Sequence, residues 1–153
     1  MQEAFLLKSL ILNKVYFPDD LFEVPTLVYD IYDQEIKETV GRIEYRHETG
    51  RDLIYYGNIG YLIYRKFRGN NYAYHACLKL LEILDPKIHE IYLTCNPDNI
   101  ASKRTIEKLG ALHVALVEVE SDHELYRHGD IQKEVYIFVR DGDYETYTED
   151  TNQ

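Results

Sequence analysis

Two stretches in which an apolar strand runs into a short polar turn and then into an amphipathic helix constrain this chain most. The first covers residues 60–73, with its turn at 68–71, and the second covers residues 94–111. A turn of this kind presents unpaired backbone N–H groups and the positive end of a helix dipole. The two stretches together therefore predict a site for a phosphorylated ligand.

The first turn has the residue types that a diphosphate site needs. Several backbone N–H groups must converge on one point, without bulky side chains in the way. Gly69, Asn70 and Asn71 tolerate left-handed backbone conformations. Ala73 lets the start of the helix lie close to a ligand, and Arg68 adds a cation. A single turn of this type also occurs as a purely structural loop, so the argument depends on finding both turns.

Length and charge limit the class of protein. A chain of 153 residues is long enough for one domain with its own core. The formal net charge of −10 argues against a nucleic-acid partner, because neutralising phosphates requires a basic stripe. Five acidic residues and no basic ones follow Arg140. We therefore expect one domain over residues 1–140 and an acidic, flexible tail over residues 141–153.

The cysteines and histidines predict neither a disulfide framework nor a metal site. Cys77 and Cys95 are the only cysteines, and the histidines are scattered without ligand spacing. Free thiols in a reducing compartment are the expectation. The chain opens without a signal-peptide pattern and contains no apolar run long enough for a membrane span. We expect a cytoplasmic protein.

Hydrophobic periodicity predicts mostly strands around two helices. The segment 26–32 alternates, as does 39–47, and the two predict an antiparallel hairpin. Gly57 and Gly60 suggest a bulge or a close backbone approach within a long third strand. The polar loop at 120–132 is long enough to be functional. The remaining expectations are strands at 4–12 (a helix is also open there), 53–64, 88–95, 112–119 and 133–140, helices from Tyr72 to Leu84 and from Asn99 to Leu109, and a very short helix at 17–21.

With both turns in this order, the chain resembles the GNAT superfamily of acyl-CoA-dependent N-acyltransferases. The pyrophosphate loop of that family has glutamine or arginine, two variable residues, glycine, a variable residue, and glycine or alanine. Residues 68–73 match it, except that Asn71 replaces the usual glycine. Asparagine is the most forgiving replacement at a positive φ. The second turn, with Asn-Ile-Ala-Ser from Asn99 and Glu-Lys-Leu-Gly from Glu107, is similar to the branch that includes ribosomal-protein N-terminal acetyltransferases, and so is Ile59-Gly60-Tyr61.

The resemblance implies a mixed α/β (α+β) fold of about six to seven strands, mostly antiparallel, with helices on both faces. Its sheet would splay at a central parallel pair formed by strands 54–64 and 88–95, with acetyl-CoA as cosubstrate between them. The diphosphate would lie on the amides of residues 69–73, and the pantetheine would pair with backbone near Leu62 and Ile63. Asn99 and Ser102 would line the thioester end.

The link between the first two strands is short in this chain, although family members usually place two helices there. The resemblance therefore implies a shortened N-terminal helical region. The acceptor groove would be either unusually open or completed by a second subunit, as in a homodimer.

The catalytic residues follow the family pattern less well. Many relatives carry a tyrosine acid where this chain has Ile106, whereas the similar branch places a serine at Ser102. Ser102 is thus a candidate acid for the leaving thiolate, or else a small residue that packs against the cofactor. Relatives often carry a glutamate base where this chain has Asn58. Asn58 could only position a water, so the candidate bases are Glu44, His47 or a tyrosine hydroxyl acting through water.

Three hypotheses about function result. The resemblance implies an N-acetyltransferase that moves acetyl from acetyl-CoA to a primary amine, of a protein N-terminus or a small molecule, by direct attack in a ternary complex. The missing tyrosine and glutamate support a non-catalytic acyl-CoA-binding or regulatory module. A plain α/β scaffold with two structural turns is the third. Tyr126 and His128, in the loop at 120–132, would either contact the acceptor or form solvated surface.

Overall fold

The computed structural model describes residues 9–140, which form seven strands and four α-helices. One sheet has the strand order β1-β2-β3-β4 and the other has the order β5-β7-β6. The predicted tail at 141–153 and the start of the predicted first strand lie outside the described residues. The strands are β1 Leu10–Val15, β2 Thr26–Asp33, β3 Glu38–Arg46, β4 Ile59–Ile63, β5 Glu90–Cys95, β6 Leu112–Glu118 and β7 Gln132–Val139. The helices are α1 Gly50–Tyr56, α2 Tyr72–Ile83, α3 Ile100–Lys108 and α4 Glu124–Arg127, and a 3-10 turn spans Arg65–Phe67.

The predicted hairpin is confirmed. Strands β2 and β3 pair antiparallel from Thr26 opposite Arg46 to Asp33 opposite Glu38, with a register shift between Ile31 and Tyr32. The next pair, β3 with β4, is also antiparallel. All pairings in both sheets are antiparallel. The fold is therefore mixed α/β with a mostly antiparallel sheet, as the sequence predicts.

Helices cover both faces of the second sheet. Successive side chains of β5 point to opposite sides, so they show what lies on each face. Ile91, Leu93 and Cys95 are buried in the main apolar cluster together with the stripe of α2. Thr94 points to the other face, where its hydroxyl donates to the carbonyl of Tyr55 in α1 at 2.9 Å. The apolar stripe of α2 is the one predicted from the sequence; its buried members are Tyr72, Ala76, Cys77, Leu80 and Leu81.

The two sheets meet at Asn58, just before β4. The N–H of Asn58 donates to the carbonyl of Tyr92 in β5 at 2.7 Å, and its carbonyl accepts from the N–H of Arg46 in β3 at 2.7 Å. Within residues 9–140, no ladder pairs the rest of β4 with β5. The strands thus separate beyond Asn58, and one edge of β4 pairs with no other strand of the described residues.

The prediction of one long strand over residues 53–64 is wrong. Residues 50–56 form helix α1, and the strand is limited to Ile59–Ile63. Leu53 to Tyr56 are strand formers, but their tertiary contacts favour a helix. In that helix, Tyr55 is buried and Asp52 accepts a hydrogen bond from the ring of His123 at 2.8 Å. Gly57 ends the helix, and its N–H donates to the carbonyl of Leu53 at 2.9 Å.

The prediction of a very short helix at 17–21 is also wrong. This segment is a turn, in which the N–H of Leu21 donates to the carbonyl of Pro18 at 3.0 Å. A helix nucleus fixes several residues for one hydrogen bond, and no apolar stripe continues here to offset that cost. The link between β1 and β2 therefore contains no α-helix, which agrees with the shortened helical region that the sequence predicts. No helix of the described residues is long and apolar enough to cross a membrane.

Gly57 makes the close backbone approach that the sequence suggests, and this gives a test. Its φ is +69°, and a Cβ there would lie 2.7 Å from the carbonyl oxygen of Tyr92. Gly50 has a similar φ of +61°, but a Cβ there would meet nothing within 4 Å. We expect Gly50→Ala to lower the free energy of unfolding by about 1–2 kcal/mol, the cost of a left-handed residue with a side chain. Gly57→Ala should lose about 1–3 kcal/mol more, because the backbone must also move.

Chemical denaturation of the two variants measures this difference. Equal losses of stability would mean that the contact between Gly57 and β5 does not constrain the junction of the sheets.

Candidate functional site

A cavity of about 610 Å³ opens where β4 separates from β5. Its walls come from β4, the loop after β4, the first turn of α2 and one face of α3. Nine of the ten residues predicted to bind a cofactor line it, namely Leu62, Ile63, Arg68, Gly69, Asn71, Tyr72, Ala73, Asn99 and Ser102. Asn70 lies outside the lining, and its side-chain amide donates to the carbonyl of Phe67 at 3.0 Å. That these residues bind a cofactor stays a prediction.

The loop at 68–71 has the left-handed backbone that the sequence predicts. Gly69 has a φ of +88° and Asn71 has a φ of +59°. Asn71 is the N-cap of α2, and its side chain makes no capping hydrogen bond. The first N–H groups of a helix have no partner inside it. The amides at the start of α2 are therefore available to an anion in the cavity.

Tyr72 fixes the start of α2 in position. Its hydroxyl donates to a carboxylate oxygen of Asp33 at 2.7 Å, and Asp33 is 1% exposed. The other carboxylate oxygen of Asp33 accepts from the N–H of Glu35 at 2.9 Å. Burial, followed by the hydrogen bond to Asp33, raises the pKa of Tyr72. The phenol therefore keeps its proton at neutral pH and ties the helix start to the β2–β3 turn.

The cavity is cationic in an acidic chain. Arg68, Arg104 and Lys108 line it, and none of the acidic residues within 9–140 is part of its lining. The Arg68 side chain is held in place, because its Nε donates to the carbonyl of Ile63 at 3.1 Å. The Lys108 ammonium lies 4.3 Å from the ring centroid of Tyr74. This local excess of positive charge contrasts with the formal net charge of −10 of the whole chain.

Two hydroxyl groups meet inside the cavity. Asn99 is the N-cap of α3, and its side chain accepts from the N–H of Ser102 at 3.1 Å. The Ser102 hydroxyl then lies 2.7 Å from the hydroxyl of Tyr61 in β4. Burial raises the pKa of Tyr61 to about 12. The cavity thus contains a protonated phenol in contact with a serine.

The sequence interpretation did not single out Tyr61. The signal that could have identified it is the alternation of β4. A Cβ at Gly60 would lie near the side chains of Arg46 and Glu44, so the neighbouring Tyr61 points to the opposite face, towards α3.

The side chain of Asn58 joins backbone groups on both sides of the sheet junction. Its amide nitrogen donates to the carbonyl of Arg46 at 2.9 Å, and its amide oxygen accepts from the N–H of Tyr92 at 2.8 Å. Asn58 is 6% exposed and is not part of the cavity lining. These contacts give Asn58 a structural task. If Asn58 also positions a water, it must do so while it keeps both hydrogen bonds.

Glu44 and His47, the other candidates for a base, lie away from the cavity. The Glu44 carboxylate forms an ion pair with the guanidinium of Arg46, which also donates to the carbonyl of Tyr56 at 2.8 Å. His47 is exposed and lines a separate groove of about 490 Å³ along the β1–β2 link. The cavity therefore brings Ser102 together with a tyrosine hydroxyl, that of Tyr61, but not with Glu44 or His47.

The loop at 120–132 packs on α1. The guanidinium of Arg51 donates to the carboxylate of Asp122 at 2.9 Å, and the hydroxyl of Tyr56 donates to the carboxylate of Glu124. Tyr126 and His128, predicted as acceptor contacts or as surface, are exposed. Within residues 9–140, no group of three or more histidine, cysteine or acidic side chains could hold a metal ion.

A family model described as an acetyltransferase (GNAT) domain matches residues 19–112. The chain belongs to the GNAT family. None of the curated proteins matches its sequence. The GNAT match covers β2 to α3 and therefore both turns singled out in the sequence.

Solved structures share the GNAT fold at low identity. The chain is similar to the ribosomal-protein-S5-alanine acetyltransferase from Vibrio fischeri, with a TM-score of 0.60, 17% identity, and 76% of this chain and 63% of that one covered. An acetyltransferase from Salmonella typhimurium, which modifies the N-terminal serine of the 50S subunit protein L7/L12, has a TM-score of 0.58, 20% identity and coverage of 76% and 64%. The chain is also similar to the microcin C7 self-immunity acetyltransferase MccE in complex with acetyl-CoA and AMP. The TM-score is 0.59 and the identity is 19%, with 74% of this chain and 61% of that one covered.

These likenesses include ribosomal-protein acetyltransferases, the branch that the sequence motifs predict. At such identities they concern the fold alone. The chain spans less than two thirds of the length of each of these three structures.

At the position of the usual GNAT tyrosine, Ile106 is 1% exposed and belongs to the main apolar cluster. It does not line the cavity. Three hydroxyl-bearing residues line the cavity from β4 and α3, namely Tyr61, Ser102 and Thr105.

Asn58 offers a test of its structural task. Asn58→Ala leaves the carbonyl of Arg46 and the N–H of Tyr92 without their side-chain partner. Each buried backbone group that loses its partner costs about 1–3 kcal/mol. We therefore expect the free energy of unfolding to fall by about 2–6 kcal/mol, measured by chemical denaturation. A stable variant that had lost only activity would instead assign Asn58 to water positioning.

Proposed function

We propose that this GNAT chain is an N-acetyltransferase that moves acetyl from acetyl-CoA to a primary amine. The observation that carries the proposal is the charge of the cavity: Arg68, Arg104 and Lys108 line it together with the start of α2, and no acidic residue of the described part of the chain lines it. A diphosphate is stabilised by helix N-termini and by cations. We assign the activity to a domain over residues 1–140 and place the reaction in the cytoplasm.

The diphosphate of acetyl-CoA would lie on the amides of residues 69–73. Three features support this placement. The left-handed conformations of Gly69 and Asn71 turn the loop so that the helix start faces the cavity. Asn71 does not cap those amides with its own side chain. Asn70 would contribute only its backbone, since its side chain is bonded to the carbonyl of Phe67.

The pantetheine would extend along the free edge of β4. Edge strands present unpaired N–H and C=O groups. Leu62 and Ile63 line the cavity on this strand, and Leu62 is 56% exposed. An amide-bearing chain could add its hydrogen bonds there as a further strand would, and it would cover Leu62. The thioester would then lie beside Asn99 and Ser102 at the start of α3.

The chemistry would be direct aminolysis. A neutral amine attacks the thioester carbonyl, the C–N bond forms, the C–S bond breaks, and the thiolate takes a proton. Ser102 would supply that proton, since Ile106 has no hydroxyl. Glu44 is paired with Arg46 and does not line the cavity, so it would not act as the base. Water in the cavity would carry away the proton lost by the amine.

The acceptor would be the N-terminal amine of a peptide or protein. The proteins similar in fold include one that acts on the N-terminal serine of a ribosomal protein. The β1–β2 link contains no α-helix, which leaves an open groove of about 490 Å³ rather than a closed pocket. An open groove suits an extended chain, and a second subunit of a homodimer would be able to complete it. The acidic surface of the chain suits a cationic amine rather than a nucleic acid.

A second candidate function is a non-catalytic acyl-CoA-binding or regulatory module. It is favoured by two observations, the buried apolar side chain of Ile106 and the complete backbone pairing of the Asn58 side chain.

One experiment separates these functions. Release of free thiol from acetyl-CoA is followed over a panel of amines and N-terminal peptides, while calorimetry measures the binding of CoA. We expect binding and turnover, fastest on a peptide N-terminus. Binding without turnover on any amine would favour the module, and absence of CoA binding would exclude both functions.

Ser102→Ala tests the acid. If Ser102 protonates the thiolate, kcat should fall by ~10²–10⁴, the usual contribution of general acid–base catalysis. The dissociation constant of CoA, measured by calorimetry, should stay unchanged. An unchanged kcat would remove Ser102 from the mechanism.

Asn71→Gly tests the loop. Glycine adopts a positive φ without strain, so the affinity for CoA should stay the same or increase. Calorimetry of CoA binding to both proteins measures it. A large loss of affinity would mean that the Asn71 side chain itself contacts the ligand.

A further inference from the structure

The proposed reaction needs a hydrogen-bond donor aimed at the departing sulfur, and the position that holds a tyrosine in many relatives carries buried Ile106. Ser102 alone would be a poorly directed donor, because a free hydroxyl rotates among several acceptors. What distinguishes this cavity is that the Ser102 hydroxyl contacts a second hydroxyl, that of Tyr61, at 2.7 Å. The two side chains come from different elements, β4 and α3, and both line the cavity.

The surroundings of Tyr61 favour it as the donor in this pair. Burial raises the pKa of Tyr61 to about 12, although the side-chain hydrogen bonds between Tyr61 and the hydroxyls of Ser102 and Thr105 lower it. The two nearby thiols, Cys77 and Cys95, are buried and offer only weak acceptors. The Tyr61 proton is thus retained, and the hydroxyl oxygens of Ser102, at 2.7 Å, and of Thr105 are its neighbouring acceptors. A Ser102 oxygen that accepts from Tyr61 has its own proton free to point into the cavity.

We propose that Tyr61 is a positioning residue for the proposed reaction, which orients the Ser102 hydroxyl as the donor to the departing sulfur of CoA. This inference rests on the proposed function. As the C–S bond breaks, its electron pair goes to sulfur and the Ser102 proton is transferred to that atom. The proton of Tyr61 moves to the Ser102 oxygen, and the proton released by the amine to water restores the phenol. The products are one amide and one thiol.

The structure predicts that the two residues act as a unit. Tyr61 would contribute only through Ser102, so its removal should matter only while Ser102 is present. Residues that act as a unit give non-additive losses of rate, whereas two independent packing defects multiply. This distinguishes a positioning role from a merely structural one.

The experiment compares Tyr61→Phe, Ser102→Ala and the double variant with the wild-type chain. Phenylalanine keeps the ring that lines the cavity and removes the hydroxyl alone. Tyr64→Phe is the matched control, because Tyr64 follows β4, is partly exposed and does not line the cavity. For each protein, kcat, the KM for acetyl-CoA, the dissociation constant of CoA and the solvent deuterium isotope effect on kcat are measured.

We expect Tyr61→Phe to lower kcat by about tenfold to hundredfold, the cost of a misplaced catalytic group. The double variant should be no slower than Ser102→Ala. CoA affinity should be unchanged, which also shows that the variant is folded. The solvent isotope effect should change in Tyr61→Phe, and Tyr64→Phe should behave as wild type.

Three results would overturn the inference while leaving the proposed function intact: a wild-type kcat in Tyr61→Phe, losses that multiply in the double variant, or a loss confined to CoA affinity. A wild-type chain that binds CoA but transfers no acetyl to any amine would overturn the proposed function, and this inference with it.

Discussion

The two sheets of this protein are joined at Asn58, and the candidate site depends on that junction. Asn58 contacts Arg46 of β3 and Tyr92 of β5 through both its backbone and its side chain. The adjacent Gly57 approaches β5 so closely that any side chain would meet its backbone. Beyond this point, within the described residues, β4 and β5 are no longer paired. The separation opens the cavity and leaves the edge of β4 free.

The two ends of the cavity differ in chemistry. One end has the cations and the uncapped start of α2, held in place by the bond between Tyr72 and Asp33. The other end has the hydroxyl pair of Tyr61 and Ser102. In the proposed function, the first end would hold the diphosphate of acetyl-CoA and the second its thioester. The binding half and the chemical half of the site are therefore built from separate elements.

Much of this was predictable from the sequence, because local signals carried it. The left-handed loop at Gly69 and Asn71 follows from residue type, and the cap at Asn99 follows from its place before an apolar stripe. The prediction of a strand over 53–64 failed because contacts of α1 with a loop 71 residues away outweigh the β-propensity of this segment. The contact of Tyr61 with Ser102 also joins distant segments, and no periodicity reports such a distance.

Hydrogen–deuterium exchange of the whole chain with and without CoA tests the central claim, that the opening between β4 and β5 holds this ligand. The account predicts slower exchange at Ile63 and at residues 69–73 when CoA is present, because their N–H groups gain acceptors, whereas the N–H of Leu62 faces Arg42 in β3. Exchange along the β1–β2 link, residues 16–25, should not change. Slower exchange at that link, with none at residues 69–73, would contradict the account and move the ligand to the other groove.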